Sequence, residues 1–361
     1  MWRRLRGLAR RAVRRLTVRF VSLKNLSVEW NFVGAPVDAI PTPEAMSMTF
    51  DPPTAIVQAP SYVPPIASVA TLRSVIFHPS NHLIWTRNRR IVPESSIQGI
   101  LVGDVRPAAI FRPLRNRIAG TSAVYRSRWN NYYHTVIDNV PRLHLLHHGT
   151  AAQEPDIQIL IGGPLSAAEQ YFLPRVLPPN ARVVSLPIDQ PHWIDKLLLP
   201  GFLTRHFAGY LPPNYRRWFL ERVAPARPSR RDQRILISRA QTAKHRGRFM
   251  ENEDEVFEAL EPLGFRRYRL EAMPPNEQVN LFHDAEVVVG AHGSGLTNLV
   301  FADAANVIEL FPATFVTPHY YFLCKSCGHL YRYIRGTASD RNANVTVSLP
   351  VLMRTLGGMG L

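Results

Sequence analysis

Hydrophobic and polar positions change rhythm several times along the chain. Over residues 1–23 the apolar positions fall at helical spacing. Trp2, Leu5, Leu8, Ala9, Ala12, Val13, Leu16 and Phe20 share one side of a helical wheel, and Arg3, Arg6, Arg10, Arg11, Arg14 and Arg15 occupy the other. Residues 24–70 lose that period. Pro36, Pro41, Pro43, Pro52, Pro53, Pro60, Pro64 and Pro65 cut the stretch into an extended connector, partly ordered against the domain that follows. From about residue 71 short apolar runs alternate with helical periods. The pattern predicts strands over 71–77, 82–86, 122–125, 156–161, 182–186 and 193–199. Helices are predicted over 131–139, broken near Pro141, and over 166–177 and 214–222.

A polar, Pro- and Arg-rich stretch at 223–233 reads as a linker between a domain at 71–222 and a second at 234–361. The second domain opens on an apolar strand, 234–239, ending in Ser238-Arg239. A helix over 251–260, a strand over 265–270 and a helix over 276–283 lead to Val287-Val288-Val289, a buried strand. The turn Gly290-Ala291-His292-Gly293-Ser294-Gly295 comes next, then helical spacing over 296–301 and a strand over 306–310. Strand–helix alternation of this kind predicts a parallel, doubly wound sheet, with ligands at the carboxyl ends of the strands.

Length and composition fit two ordinary globular domains, with 361 residues of which 46% are hydrophobic. Charge changes the picture more. The formal net charge is +16, and eight arginines lie in the first 20 residues with no acid among them. A helix so built suits an anionic membrane surface, and a helix packed on its own protein, a nucleic-acid arm and a presequence are the competing readings. No stretch reaches the length of a membrane span, and no apolar core follows the arginines as a secretory signal requires. A cytoplasmic protein, peripheral on the inner membrane surface, is therefore expected. Cys324 and Cys327 form one C-x-x-C pair on a predicted helix, which reads as buried thiols rather than a metal site.

The glycine turn carries the chemistry. Glycines admit close backbone approach, and a helix start offers N–H groups to an anion. His292, Ser294, Thr297 and Asn298 add donors around the same point. The spacing is neither the dinucleotide G-x-G-x-x-G nor a P-loop, and His292 stands where a G-x-S-x-G nucleophile elbow needs its first glycine. From the residues alone, an anion cradle and a structural turn capped by Ser294 both remain. Upstream, His134 and Asp138 stand four apart and share a helix face, so the histidine has a carboxylate neighbour and can accept a proton. The structural alternative pairs Asp138 with Arg142 instead.

His292-Gly-Ser-Gly-Leu-Thr-Asn298, entered from an apolar strand and followed by Val307-Ile308-Glu309, resembles the signature of glycosyltransferase family 61, with Ser294 in place of the commoner Ala. Two further elements fit the resemblance. Tyr133-His134, Asp138 and Pro141 match the family's N-terminal element. Ser238, Arg239, Arg248 and Asn252 fit its strand ending in Ser-Arg, basic loop and Asn before a helix.

The resemblance implies a GT-B-like α/β fold, two doubly wound Rossmann-like domains facing a cleft, and a bacterial-like cytoplasmic member. It implies inverting transfer of a sugar from a nucleotide-diphosphate donor, UDP-linked by expectation, to a hydroxyl of a glycan acceptor, in surface polysaccharide biosynthesis. His134 and Asp138 become the catalytic candidates, with the base unassigned between them. Ser238, Arg239, Arg248, Asn252, His292, Gly293, Ser294, Gly295, Thr297, Asn298 and Glu309 become the donor-side candidates. No Asp-x-Asp occurs in the chain, so no metal or other cofactor is expected, and guanidinium groups would meet the diphosphate charge. Two rivals stand beside this reading. A non-catalytic basic protein binding membrane or nucleic acid would explain the tail without chemistry, although nucleic acid is the less expected partner. A hydrolase using Ser294 would need a histidine and an acid to meet that serine.

Overall fold

The computed structural model describes residues 19–34, 38–41, 61–97, 114, 116–205, 208–239, 249–337 and 344–361. The chain divides into two compact units. The first joins 1–36 to 65–206, and the second joins 37–64 to 207–361.

The first unit holds a nine-stranded mixed sheet. Its strands are β1 (Arg19–Phe20), β2 (Glu29–Phe32), β5 (Ser68–His78), β6 (Leu83–Trp85), β7 (Arg90–Val92), β8 (Asn116–Ala123), β9 (Ile157–Gly162), β10 (Ala181–Leu186) and β11 (His192–Pro200). They run in the order β1-β7-β6-β5-β11-β8-β9-β10, with β2 also on β5. This corrects the expectation of a doubly wound sheet here. β5, β6 and β7 form an antiparallel meander, β11 is antiparallel to β5, β11, β8, β9 and β10 form a parallel block, and the two-residue β1 lies parallel to β7 at the edge. The cause is connection length. Four residues separate β5 from β6 and four separate β6 from β7, and short connections cannot carry the crossovers that parallel neighbours need. The strand expected at 122–125 is only the end of β8, and Arg19–Phe20 is strand where the basic helix was expected to continue. The remainder of that helix, 1–18, lies outside the described residues.

Helices of this unit include α1 (Val140–His144), α2 (Gly149–Ala152) and α3 (Ala167–Val176). A π-helical turn, His134–Asn139, runs directly into α1. The expected break at Pro141 does not occur, because proline in a first helical turn loses no intrahelical donor. Ser166 and Glu169 form a reciprocal capping box on α3. Arg126 is buried beside it, giving a bidentate pair to Glu169 and further bonds to the carbonyls of Gly162 and Pro164.

The second unit is a five-stranded sheet, parallel throughout, as the alternating pattern predicts. Its strands are β12 (Gln233–Ile237), β13 (Phe265–Tyr268), β14 (Ala285–Ala291), β15 (Asn306–Phe311) and β16 (Leu330–Arg335), in the order β13-β12-β14-β15-β16. The path turns one way from β12 to β13, then the other way to β14. That reversal is a topological switch point, and crossover loops part there to leave room for a ligand. Val287, Val288 and Val289 are fully buried, as a strand covered on both faces should be.

The unit's helices are α4 (Pro213–Val223), α5 (Glu253–Leu260), α6 (Pro275–His283), α7 (His319–Cys327) and α8 (Leu349–Gly357), with a 3-10 helix at Ser294–Phe301. Part of the Pro-rich connector belongs here rather than to the first unit. β3 (Ile40–Pro41) pairs with β4 (Ser61–Tyr62), and the Tyr62 ring sits 4.9 Å from that of Phe322 on α7. The stretch 223–233 is likewise tied in rather than left as a linker. Arg227 and Arg230 both grip buried Asp284, just before β14. Asp284 is held well below the usual carboxylate range, chiefly by its hydrogen bond from Arg227.

Candidate active site

In the second unit β12 and β14 bring their carboxyl ends together at the switch point, with Ile237 paired to Gly290. The glycines allow this contact. A Cβ on Gly290 would lie 3.1 Å from Ile237 Cβ, and one on Gly295 would lie 3.1 Å from Leu270 Cδ1 and 3.2 Å from Ile237 Cγ2. At Gly293 the space is filled by a charge. A Cβ there would stand 1.9 Å from Arg239 Nη1. Nη1 donates to the His292 carbonyl at 2.9 Å, which seats the guanidinium in the turn. Glu253, in the first turn of α5, fixes the root of that arginine. Its carboxylate accepts from Ser238 Oγ at 2.5 Å and from the Arg239 N–H at 3.2 Å. Ser238 is thus an anchor for the arginine's backbone.

The His292 side chain is held from behind. Its Nδ1 lies 2.6 Å from Glu309 Oε1, and Tyr331 donates to Glu309 Oε2 at 2.6 Å. The imidazole stacks on Phe311 at 5.2 Å, with Phe315, His319 and Tyr320 around it. Tyr320 also donates to the Gly293 carbonyl at 2.7 Å. Glu309 is completely buried, and burial pushes its carboxyl well above the usual range against the lowering effect of the Tyr331 hydrogen bond.

The structure therefore separates the donor-side candidates. Arg239, His292, Gly293, Ser294 and Gly295 come together at the switch point, with Ser294 exposed at the head of the 3-10 helix. Thr297, Asn298 and Glu309 have no exposed surface and build the turn from inside. Asn298 donates to Gln278 and to the Gly295 carbonyl, and Thr297 faces the Tyr320 hydroxyl. Asn252 exchanges two hydrogen bonds with the backbone of Val347, each 2.9 Å. Arg248 lies outside the described residues. A groove of about 570 Å³ lined by Arg227, Arg230, Arg266 and Asp284 opens at the amino ends of β12 and β14 and touches none of these residues.

In the first unit the π-helical turn presents His134. A π turn is uncommon and marks functional positions more often than chance. Asn139 braces it, accepting from the Ser127 N–H and donating to the Trp129 carbonyl. His134 Nδ1 lies 2.5 Å from Asp138 Oδ2, and Thr204 donates to Oδ1 at 2.8 Å. The imidazole stacks on Trp129 at 5.9 Å and meets Tyr133 edge-on. Asp138 is buried, while His134 keeps 12% of its side chain exposed. Arg142 does not take Asp138 as a hydrogen-bond partner. It donates to the carbonyls of Pro200 and Tyr125 and lies over the Phe202 ring. Burial pushes its pKa down to about 9, against the pull of the Asp138 charge. With Nδ1 on the carboxylate, the opposite ring nitrogen of His134 is the one oriented to accept a proton.

Several residues of these arrays carry no signal in the sequence. Thr204 lies 66 positions from Asp138, and Tyr320, Tyr331 and Phe315 read as ordinary aromatics. Glu253 carries a faint one, since an acid in a first helical turn reads as dipole compensation. Cys324 and Cys327 are buried free thiols that burial pushes up in pKa. Among the described residues no cluster of three metal-ligating side chains occurs, and no helix is long and apolar enough to cross a membrane.

Comparison with known proteins agrees with the turn and the π-helical element together. Residues 132–308 match the family model described as Glycosyltransferase 61. A segment of 121 residues is 28% identical to a beta-1,2-xylosyltransferase of Arabidopsis thaliana, covering 29% of this chain and 23% of that protein. The match thus takes in about a quarter of the relative's length. The family-model match begins two residues before His134 and ends one residue before Glu309, so the chain is similar to glycosyltransferase family 61 over the residues that carry both arrays.

Proposed function

We propose that this protein is a glycosyltransferase that moves a sugar from a nucleotide-diphosphate donor to a hydroxyl of a glycan acceptor. The observation that carries the donor side is Arg239, seated by Glu253 and the His292 carbonyl where only glycine fits beside it. A guanidinium fixed beside a glycine turn and the start of a 3-10 helix, at a switch point, suits a diphosphate. The family-model match and the similarity to a xylosyltransferase support the reaction class.

In the mechanism we propose, His134 takes the proton from the acceptor hydroxyl at the ring nitrogen opposite Asp138. Asp138 holds the tautomer and Thr204 holds Asp138. This assigns the base to His134 and the orienting role to Asp138. The acceptor oxygen attacks the anomeric carbon as the bond to the diphosphate breaks, in one inverting displacement. Charge gathering on the leaving diphosphate is met by Arg239, Ser294 and the start of the 3-10 helix. UDP as the carrier, metal independence, surface polysaccharide as the product and an anionic membrane surface as partner of residues 1–23 belong to the same proposal. The sequence carries them through its family motif, its lack of Asp-x-Asp and its arginine-rich helix pattern.

The test is a thermal-shift screen of the protein against nucleoside diphosphates and nucleotide-sugars, with and without EDTA, beside Arg239→Ala. A rise in Tm with one nucleotide, indifferent to EDTA and lost in Arg239→Ala, is expected. Stabilisation by polyanions or anionic vesicles alone, with no nucleotide effect, would replace the proposal with the non-catalytic binding reading.

A further inference from the structure

The hydrogen-bonded line behind His292 crosses three neighbouring strands. It starts at His292, just after β14, passes through Glu309 in β15 and ends at Tyr331 in β16. Glu309 cannot touch a donor, because it has no exposed surface. His292 keeps 10% of its side chain exposed, so its edge away from Glu309 is the reachable one. The groups facing this pair are Tyr331 and Tyr333 from β16, Cys324, Tyr320 and His319 from α7, and Arg239, which binds the His292 carbonyl.

Proton counting gives the line a purpose. Glu309 has no exposed surface, and burial holds its carboxyl well above the usual range even against the Tyr331 hydrogen bond, so it resists standing as an anion. The His292–Glu309 pair therefore keeps one shared proton besides the proton the neutral ring always carries. If that proton is on Glu309, the carboxyl donates to Nδ1 and the ring proton sits on Nε2. If it is on His292, both ring nitrogens are protonated. Either way Nε2 carries a hydrogen and points away from the carboxyl.

We propose that Glu309 is a positioning residue that holds His292 as an Nε2–H donor to the departing diphosphate. This inference rests on the glycosyltransferase reading. As the bond from the anomeric carbon to the phosphate oxygen breaks, its electron pair passes to that oxygen. The oxygen takes the Nε2 proton, and the pair regains a proton from water after the diphosphate leaves. His134 handles the opposite traffic, accepting the hydroxyl proton of the acceptor.

The experiment pairs nitrogen-15 histidine NMR with pH–rate profiles for wild type, Glu309→Gln and Tyr331→Phe. In wild type the His292 ring stays protonated at Nε2 and unchanged from about pH 6 to about pH 8, past the ordinary imidazole value of about 6.5. Glu309→Gln lets the ring titrate inside that window, lowers kcat on the order of 10²-fold and moves the alkaline limb to lower pH. Tyr331→Phe moves the limb the other way, because the hydrogen bond it removes favours the carboxylate. A purely structural role would not give opposite shifts. The same ring titration in all three proteins, or limbs that stay in place, overturns the inference. A wild type with no transfer activity counts against the glycosyltransferase reading instead, and the NMR arm still decides whether Glu309 governs His292.

Discussion

His329 joins the end of the 3-10 helix to the start of β15, and that position makes the second unit sensitive to mild acid. Its Nδ1 accepts from the Ala305 N–H at 3.0 Å, so the proton lies on Nε2, which donates to the Leu299 carbonyl at 2.9 Å. Protonation would place a second N–H against the Ala305 N–H. Burial, the largest cause, pushes the pKa down to about 4 from 6.5. The sign follows from proton counts. Between these values the unfolded chain binds the extra proton and the folded one does not, so stability falls as pH falls through that window. With one pKa unit equal to about 1.4 kcal/mol, the loss from this residue between about pH 7.5 and about pH 5 is about 2 kcal/mol.

The perturbation is His329→Gln, whose amide nitrogen can still reach the Leu299 carbonyl while Ala305 N–H loses its acceptor. At about pH 7.5 the variant should be less stable by about 1–3 kcal/mol, the cost of a buried unpaired donor. At about pH 5 the gap should shrink by about 2 kcal/mol, because the glutamine does not titrate. Urea unfolding at both pH values, followed by intrinsic fluorescence, measures the double difference. His82 in the first unit is also pushed down, to about 3, by burial and by the charges of Arg126 and Arg142. It titrates in both proteins and cancels. A gap that stays the same within about 0.5 kcal/mol, a common tolerance for independent sites, would refute the argument.

Three further outcomes are expected. Asp138→Asn should lower transfer by roughly 10²–10⁴-fold, the range for losing a positioned base, while nucleotide still raises Tm; turnover within threefold of wild type would remove the His134–Asp138 pair from the mechanism. Gly293→Ala should fold, since its φ of 168° is extended backbone, but its Cβ displaces Arg239, so nucleotide affinity measured by calorimetry should drop on the order of tenfold, about 1.4 kcal/mol; unchanged affinity would show that the arginine's seat does not matter. Asp284→Asn should cost about 1–3 kcal/mol of stability by loosening Arg227 and Arg230. That contribution is fully present above the unfolded carboxylate range and lost as pH falls below it, so the variant should show a shallower acid limb in a Tm–pH series; parallel limbs would count against the latch.

Alternation of apolar runs and helical spacing was enough to read the second sheet, because a strand buried on both faces must be continuously apolar and short crossovers must be helical. The first sheet was read too regularly. Its meander and its parallel block present the same short apolar runs, and only pairing partners distinguish them. The π-helical turn was also illegible as such, since a π turn and an α turn share one apolar pattern and differ by where a backbone N–H points. Asn139, Thr135 and the carbonyl of Asn131 settle that difference through contacts that periodicity does not encode.

The sequence by itself determined the glycine turn and its histidine, the His134–Asp138 spacing, the arginine closing β12 and the resemblance to family 61. These are local: a few neighbouring residues supply the glycines, the shared helix face and the strand end. What only the tertiary structure decided is what each side chain does. Arg239 became a seated cation when β12 and β14 paired and Gly293 left room for it. Glu309, Thr297 and Asn298 became interior supports because adjacent strands and α7 cover them, and His134 acquired an oriented carboxylate because Thr204 arrives from 66 residues away. Burial and hydrogen-bond partnership are set by elements distant in sequence, and they fix which way a proton or a charge can face.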